Sequence, residues 1–103
     1  MSWRRGHRGR VDVNQKRFVQ FFRAYGASFV SLAPLGDGVP DGLVAHWGVE
    51  RVVEFKRPGG KLTDKQQEFR DRWRGHPITV LQDEQEALTL LQDMEREAGR
   101  RDG

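Results

Sequence analysis

Two acidic residues and a lysine stand out because they interrupt apolar sequence. Asp41 follows a proline, and Glu54 and Lys56 lie within the run VERVVEFK, residues 49–56. A charge inside a buried strand is unfavourable unless it is paired or binds an ion. Side chains two residues apart on a strand share one face, so Glu54 and Lys56 are expected to point the same way. The chemistry available to them depends on whether Asp41 joins them.

A predicted β-hairpin brings Asp41 to Glu54. Its strands are residues 43–45 and 51–56, joined by a turn at Trp47–Gly48. In that register Asp41 lies opposite Glu54, and a turn centred half a residue later still leaves the two as neighbours. Either way the two carboxylates meet at the open end of the hairpin.

Two carboxylates held together repel each other, and a hard divalent cation relieves that repulsion. Mg²⁺, or Mn²⁺ in its place, prefers such oxygen ligands and keeps several of its waters. The ion makes water a better nucleophile and stabilises charge on a phosphate oxygen. Lys56 would orient that water or neutralise the phosphate. The residues thus favour phosphodiester hydrolysis, and the alternative is a structural Glu54–Lys56 contact on a half-exposed strand.

Length and composition predict a single cytoplasmic domain without membrane attachment. The chain has 103 residues, which is typical of one domain. It contains no cysteine, which excludes disulfides, thiolate zinc sites and a cysteine nucleophile. No apolar run approaches the roughly 18 residues of a membrane span, and the N-terminus lacks the apolar segment of a signal peptide.

The positive charge is concentrated at the N-terminus. The net charge is +3, and the first ten residues hold four arginines and no acid, whereas the rest holds 14 basic and 15 acidic residues. A basic arm on a near-neutral body is typical of a protein that binds nucleic acid, although a solvated tail would look the same. The candidate DNA contacts in the arm are Arg4, Arg5, Arg8 and Arg10.

Hydrophobic periodicity and helix caps predict an α/β domain with a mixed sheet, in the order α-β-β-β-α-β-α. The predicted elements are a helix over 13–25 with Asp12 as N-cap, a strand over 28–32, the hairpin, a helix over 64–74 with Thr63 as N-cap, a strand over 78–81, and a helix opened by Asp83 and Glu86. We expect residues 1–10 to form a flexible arm, 11–98 the domain, and 99–103 a frayed end. The apolar stripes expected to pack are Val11, Phe18, Phe22 and Tyr25 on the first helix, Leu62, Phe69 and Trp73 on the second, and Ala87, Leu91, Met94 and Ala98 on the third.

Two glutamines lie in line with these apolar stripes. Gln15 falls on the face of the first helix and Gln66 on that of the second. Either amide alone is usual at the edge of a core. Together with the predicted carboxylate pair, they become candidates for site residues.

The segments around these residues resemble a known superfamily. The pattern VPD…VVEFK, ending at Lys56, is similar to the motif of the PD-(D/E)XK nucleases. GGKLTDKQQEF resembles the glycine-rich loop and glutamine-bearing helix of the VRR-NUC and phage-type members. RVDVNQKRFVQFFRAYGA and HPITVLQDEQEAL resemble their first helix and their last strand and helix. The resemblance covers about residues 10–92.

The resemblance implies a restriction-endonuclease-like core in which mixed sheet and helices carry a metal-dependent DNA endonuclease site. Asp41, Glu54 and the backbone carbonyl of Phe55 would hold Mg²⁺ or Mn²⁺, Lys56 would be the catalytic lysine, and Gln66 would lie beside them. Gln15 stands about where junction resolvases carry a glutamate, and a neutral amide there disfavours a strong second metal ion. The loop residues Arg57, Lys61 and Lys65 are candidate phosphate contacts.

The favoured substrate is a four-way (Holliday) junction, cut by a C2 homodimer whose two sites match the symmetry of the DNA. A role in DNA recombination and repair follows, in the cytoplasm of the host cell if a phage encodes the chain. The alternatives are a nuclease for flaps, nicks or plain duplex, a DNA-binding module without catalysis, and a small-molecule enzyme or protein-interaction domain. No small-molecule cofactor is expected.

Overall fold

The structure of the protein is a computed structural model that describes residues 13–102. Within that range the elements, in chain order, are α1 (Val13–Ala24), β1 (Ser28–Ser31), a 3₁₀ turn (Ala33–Leu35), β2 (Gly42–His46), β3 (Val49–Phe55), α2 (Asp64–Arg72), β4 (Thr79–Leu81) and α3 (Glu84–Asp102). They form a small α/β domain. None of these helices has the length and apolar character that a membrane span requires.

The four strands form one mixed sheet in the order β1-β2-β3-β4. The first two pairings are antiparallel and the pairing of β3 with β4 is parallel. A parallel pair needs a crossover connection, and α2 lies within it. The predicted α/β class and mixed sheet are therefore confirmed, whereas the restriction-endonuclease-like fold stays a prediction.

The β2–β3 hairpin has the predicted register. The Cα partners include His46 with Val49, Leu43 with Val52, and Gly42 with Val53. Trp47 and Gly48 form the turn with φ values of 55° and 77°. Positive φ at both central residues is what a type I′ turn requires, and this turn matches the twist of the strands. The turn therefore fixes the register along the whole hairpin, up to Asp41.

The core lies between one face of the sheet and the helices α1 and α3. The predicted stripe of α3 is fully buried: Ala87, Leu91, Met94 and Ala98. On α1, Phe18 and Phe22 are buried, and the ring of Phe18 stacks on that of Phe55 with centroids 4.5 Å apart. Because Phe55 stands between Glu54 and Lys56, this packing fixes the end of β3 that carries both residues.

Tyr25 does not continue the buried stripe of α1, contrary to the prediction. It is 40% exposed, because α1 already ends at Ala24 and Gly26 turns the chain with a φ of 99°. Its ring instead meets His46 edge-on, with centroids 5.7 Å apart. The other residues predicted at the start of this helix, Val11 and Asp12, lie outside the described range.

Two helix ends differ from the sequence-based boundaries. Helix α2 stops at Arg72 rather than at residue 74, and the indole of Trp73 donates a hydrogen bond to the carbonyl of His76 at 2.9 Å. Helix α3 continues through Gly99 to Asp102, beyond Ala98, the last residue of its predicted stripe. A single glycine destabilises a helix by only about 1 kcal/mol, and basic residues such as Arg100 interact favourably with a helix C-terminus.

Helix α3 begins at the predicted cap. Asp83 Oδ1 accepts a hydrogen bond from the backbone N–H of Glu86 at 2.8 Å. The carboxylate of Glu86 accepts from the N–H of Gln82 at 2.6 Å, one residue before the position that a capping box uses.

Helix α2 contains no buried residue, so contacts other than core packing must position it. Gly38, with a φ of 78°, lies against its first turn, where an added Cβ would come within 2.3 Å of the Lys65 carbonyl oxygen. The loop that leads into Asp41 therefore touches the backbone of α2 directly.

Replacement of Gly38 by alanine should separate this loop from α2. The expected loss of unfolding free energy is at least ~2 kcal/mol, because steric overlap adds to the usual penalty for positive φ. Gly59→Ala is the matched control, since Gly59 has a φ of 79° and open space around its Cα. It should lose only about 1 kcal/mol. Urea unfolding of both variants measures the difference, and equal losses would contradict the close contact.

Candidate metal and catalytic site

Asp41 and Glu54 lie together at the open end of the hairpin. The ladder ends with the pairing of Gly42 and Val53, so the next residues on each strand face each other. Asp41 Oδ2 accepts a hydrogen bond from the backbone N–H of Phe55 at 2.7 Å, which fixes its side chain against β3. Glu54 is only 4% exposed. The structure thus brings together the two carboxylates that the hairpin register predicts.

Burial raises the pKa of Glu54 from 4.5 to about 8, and the charge of Asp41 and a hydrogen bond with its carboxyl group add to the rise. The nearby cations Lys56 and Arg70 act in the opposite direction but do not cancel it. At neutral pH without a cation, the pair of carboxyls therefore retains one proton. A cation bound between the two carboxyls can take the place of this proton.

Gln66 of α2 connects the acids to the lysine. Its Nε2 donates to Glu54 Oε2 at 3.0 Å, and its Oε1 accepts from Lys56 Nζ at 2.9 Å. The single amide thus fixes both side chains through its two ends. Among the described residues no carboxylate forms an ion pair with Lys56. The structural alternative for this strand was a direct contact between Glu54 and Lys56. Instead, Gln66 bridges the two side chains.

The N-terminus of α2 holds Gln66 in place. Thr63, the predicted N-cap, accepts the Gln66 N–H at 3.2 Å, and Gln66 Oε1 accepts the Thr63 N–H at 2.9 Å. This reciprocal pair is a capping box, with glutamine at N3. One amide oxygen therefore serves the helix cap and the lysine together, so the start of α2 and the arrangement of the site depend on each other.

Lys56 is also fixed through its backbone. Its N–H donates to the Leu81 carbonyl at 2.9 Å, which continues the parallel ladder one residue beyond β3. The side chain is half-buried and reaches Gln66 from the strand end. The ammonium is therefore held near Glu54 through Gln66, and its charge does not cancel the rise in the pKa of that carboxyl.

Gln15 lies in the first turn of α1. It is half-buried and lines a cleft with Phe29 and Ser31. It stands one turn before Phe18, which stacks on Phe55 at the site end of β3. Its place in the site stays a prediction.

The predicted phosphate contacts of the loop after β3 are all exposed. They are Arg57, Lys61 and Lys65, and Lys65 Nζ lies 3.5 Å from Asp37 Oδ1. The four arginines of the arm, Arg4, Arg5, Arg8 and Arg10, lie outside the described residues.

The donor atoms at this site fit a hard divalent cation. Two carboxylates and the Phe55 backbone carbonyl offer oxygen only, the ligand type that Mg²⁺ and Mn²⁺ prefer. Across residues 13–102 no set of three or more His, Cys, Asp or Glu side chains is arranged as a metal site. A cation held here would thus have two acidic ligands and keep several waters, as Mg²⁺ commonly does.

Comparison with known proteins gives no relative. No family model, curated protein or solved structure matches the chain. The functional interpretation therefore depends on the geometry of the site and on the motif resemblance.

Two residues at the site were not singled out from the sequence. Arg70 lies four residues after Gln66 and acts on the charge of Glu54. The i, i+4 spacing on a predicted helix was a signal for it, since such residues share a face. Gly38 was recognised only as a loop breaker, and its contact with α2 has no local signature.

The raised pKa of Glu54 predicts how the stability of the metal-free protein changes with pH. Between about 4.5 and about 8 the unfolded chain has lost the Glu54 proton while the folded protein keeps it. The free energy of unfolding should therefore fall as pH rises through this window and level off above it. Glu54→Gln should remove the decline, and Glu50→Gln, an exposed change on the same strand, should keep it. Urea unfolding with chelator across this range tests the prediction, which a parallel decline in Glu54→Gln would contradict.

Proposed function

We propose that this protein is a Mg²⁺- or Mn²⁺-dependent endodeoxyribonuclease of the PD-(D/E)XK type. The observation that carries the proposal is the contact between the Asp41 and Glu54 carboxyls, with Lys56 held beside them by Gln66. Two acids and a lysine in this relation suit phosphodiester hydrolysis better than they suit fold stability, because the acids destabilise each other.

Asp41, Glu54 and the Phe55 carbonyl would hold the cation. When bound, it would supply charge to activate a water and to stabilise the phosphate in the transition state. The chain's own contribution is orientation: the Phe55 N–H fixes Asp41, and Gln66 fixes Glu54. Such fixed ligand positions reduce the reorganisation needed during the reaction.

Lys56 would act on the water or on the phosphate. Its ammonium has three donors, one of which is used by Gln66 at 2.9 Å, and no described carboxylate neutralises it. It can therefore orient the attacking water or offset the negative charge that develops on the phosphate oxygens. The Gln66 contact holds it at the site without reducing its charge.

Basic residues around the site would hold the DNA backbone. Arg57, Lys61 and Lys65 are exposed on the segment that joins β3 to α2 and on its first turn, and the arginines of the arm add four charges to the chain. Contacts of this kind position the duplex without reading its sequence. The protein would therefore select DNA by shape.

The proposed substrate is branched DNA, first of all the four-way junction, cut by a homodimer. One carboxylate pair can cut one strand per binding event, and a C2 dimer would supply two sites with the symmetry of a junction. Cleavage assays on a junction, a flap and a linear duplex would separate this version from a nuclease for simpler DNA.

Cleavage should require Mg²⁺ or Mn²⁺ and stop with chelator. Asp41→Asn and Glu54→Gln should each reduce single-turnover cleavage at least ~100-fold, because each removes a charged metal ligand. DNA binding should survive, since the proposed phosphate contacts are basic residues that both variants retain.

Glu50→Gln is the control for this test, because it removes one acid from the same strand at an exposed position. It should cleave like the wild type. Cleavage by the wild type in chelator, or by Glu54→Gln at the wild-type rate, would contradict the site assignment.

Lys56→Ala should separate catalysis from metal binding. We expect at least a ~100-fold loss of single-turnover rate with little change in Mn²⁺ affinity, because the lysine acts on water or phosphate and not on the cation. Lys61→Ala removes an exposed lysine from the adjoining loop and should affect DNA affinity more than rate. A wild-type rate for Lys56→Ala would leave Lys56 with a structural role only.

A further inference from the structure

Arg70 of α2 lies near the carboxylate pair, close enough for its charge to act on Glu54. It is half-buried and lies one helical turn after Gln66, on the same face. Its NH1 donates to the Ile78 carbonyl at 3.1 Å, two residues before Val80, the Cα partner of Glu54 in the parallel ladder. Two residues along a strand span about 7 Å, so the bond to Ile78 places the guanidinium in the neighbourhood of Glu54, within reach of its charge.

Most of the donors of this guanidinium are free for a ligand, as far as residues 13–102 show. A guanidinium carries five N–H donors, and the bond to Ile78 uses one of them. No described carboxylate forms an ion pair with Arg70. The charge of Arg70 also acts on Glu54, which agrees with a position near the site.

We infer that Arg70 binds the phosphate that is cut, through its guanidinium fork. The inference rests on the proposed nuclease function and adds a phosphate-binding residue to its site. A phosphate approaching two carboxylates meets negative charge, and Lys56 supplies one cation beside them. Arg70 supplies a second cation whose planar donors match two phosphate oxygens at once.

The anchoring of Arg70 suits this role. Its bond to Ile78 connects α2 to the beginning of β4, so the guanidinium keeps its position although α2 has no buried residue. A donor fixed in advance loses little conformational entropy on binding. Arg72, two residues on, is exposed on another face of the helix and serves as the matched comparison.

The test compares the wild type, Arg70→Gln, Arg70→Lys and Arg72→Gln in single-turnover cleavage of one DNA. Arg70→Gln should lose at least ~30-fold in rate, and Arg70→Lys, which keeps the charge without the fork, should recover only part of it. Arg72→Gln should stay within about threefold of the wild type. Circular dichroism checks that each variant folds. If Arg70→Gln does not fold, the comparison uses Arg70→Lys.

A second measurement separates phosphate binding from a merely structural bond to Ile78. Affinity is measured in chelator for DNAs that carry one neutral methylphosphonate at successive positions. The wild type and Arg72→Gln should lose about tenfold at one position near the cut, and both Arg70 variants should show a smaller loss there.

The outcomes distinguish the two proposals. A wild type that cuts no DNA with Mg²⁺ or Mn²⁺ overturns the nuclease function and the Arg70 role with it. A wild type that cuts, with Arg70→Gln or Arg70→Lys equally fast, overturns the Arg70 role alone. The same holds if the Arg70 variants keep the full wild-type methylphosphonate pattern.

Discussion

The repulsion between Asp41 and Glu54 is the constraint on which the rest of the site depends. Glu54 is almost completely buried, and the charge of Asp41 lies against it, so the two cannot both ionise freely near neutral pH. The fold nevertheless holds them together, through the hairpin register on one side and the Phe55 N–H on the other. Such an arrangement destabilises the protein unless a proton or a cation offsets the charge. The proposed function depends on this destabilisation.

The polar contacts around the pair also organise the fold locally. Helix α2 has no buried side chain, so its place is set by the capping box at Thr63, the Gln66 bridge, the Arg70 bond to Ile78 and the close approach of Gly38. These contacts converge on the carboxylates from the outer face of the sheet. On the face of the sheet that packs against the core, the aromatic rings stacked on Phe55 fix the same strand end. The strand end that carries the site is thus fixed by aromatic packing on one face and by polar contacts with α2 on the other.

The parts of this arrangement that depend on neighbouring residues could be predicted from the sequence. The turn at Trp47–Gly48 sets the hairpin register, and from that register the meeting of Asp41 and Glu54 follows. The Thr63 cap and the buried stripe of α3 also follow from local patterns. In each case the feature is set by a turn type, a helix cap or a helical periodicity, all of which depend on residues close together in the sequence.

The parts that depend on distant residues could not be predicted. Tyr25 continues the helical pattern, yet the chain turns at Gly26 before Tyr25 can reach the core. The contact of Gly38 with Lys65 and the bond of Arg70 to Ile78 join segments whose relative placement only the folded chain defines. The bridging role of Gln66 could be predicted only in part. Its position on the helix face follows from the sequence, but its two hydrogen-bond partners do not.

The most direct test of the central claim is calorimetry of Mn²⁺ binding at pH 7 in two buffers of different ionisation enthalpy. One ion per chain should bind with the release of close to one proton, because Glu54, with a pKa of about 8, must give up its proton to become a ligand. The Glu54→Gln protein should neither bind the ion at comparable concentration nor release a proton. Binding that persists unchanged in Glu54→Gln, or wild-type binding without proton release, would contradict the account.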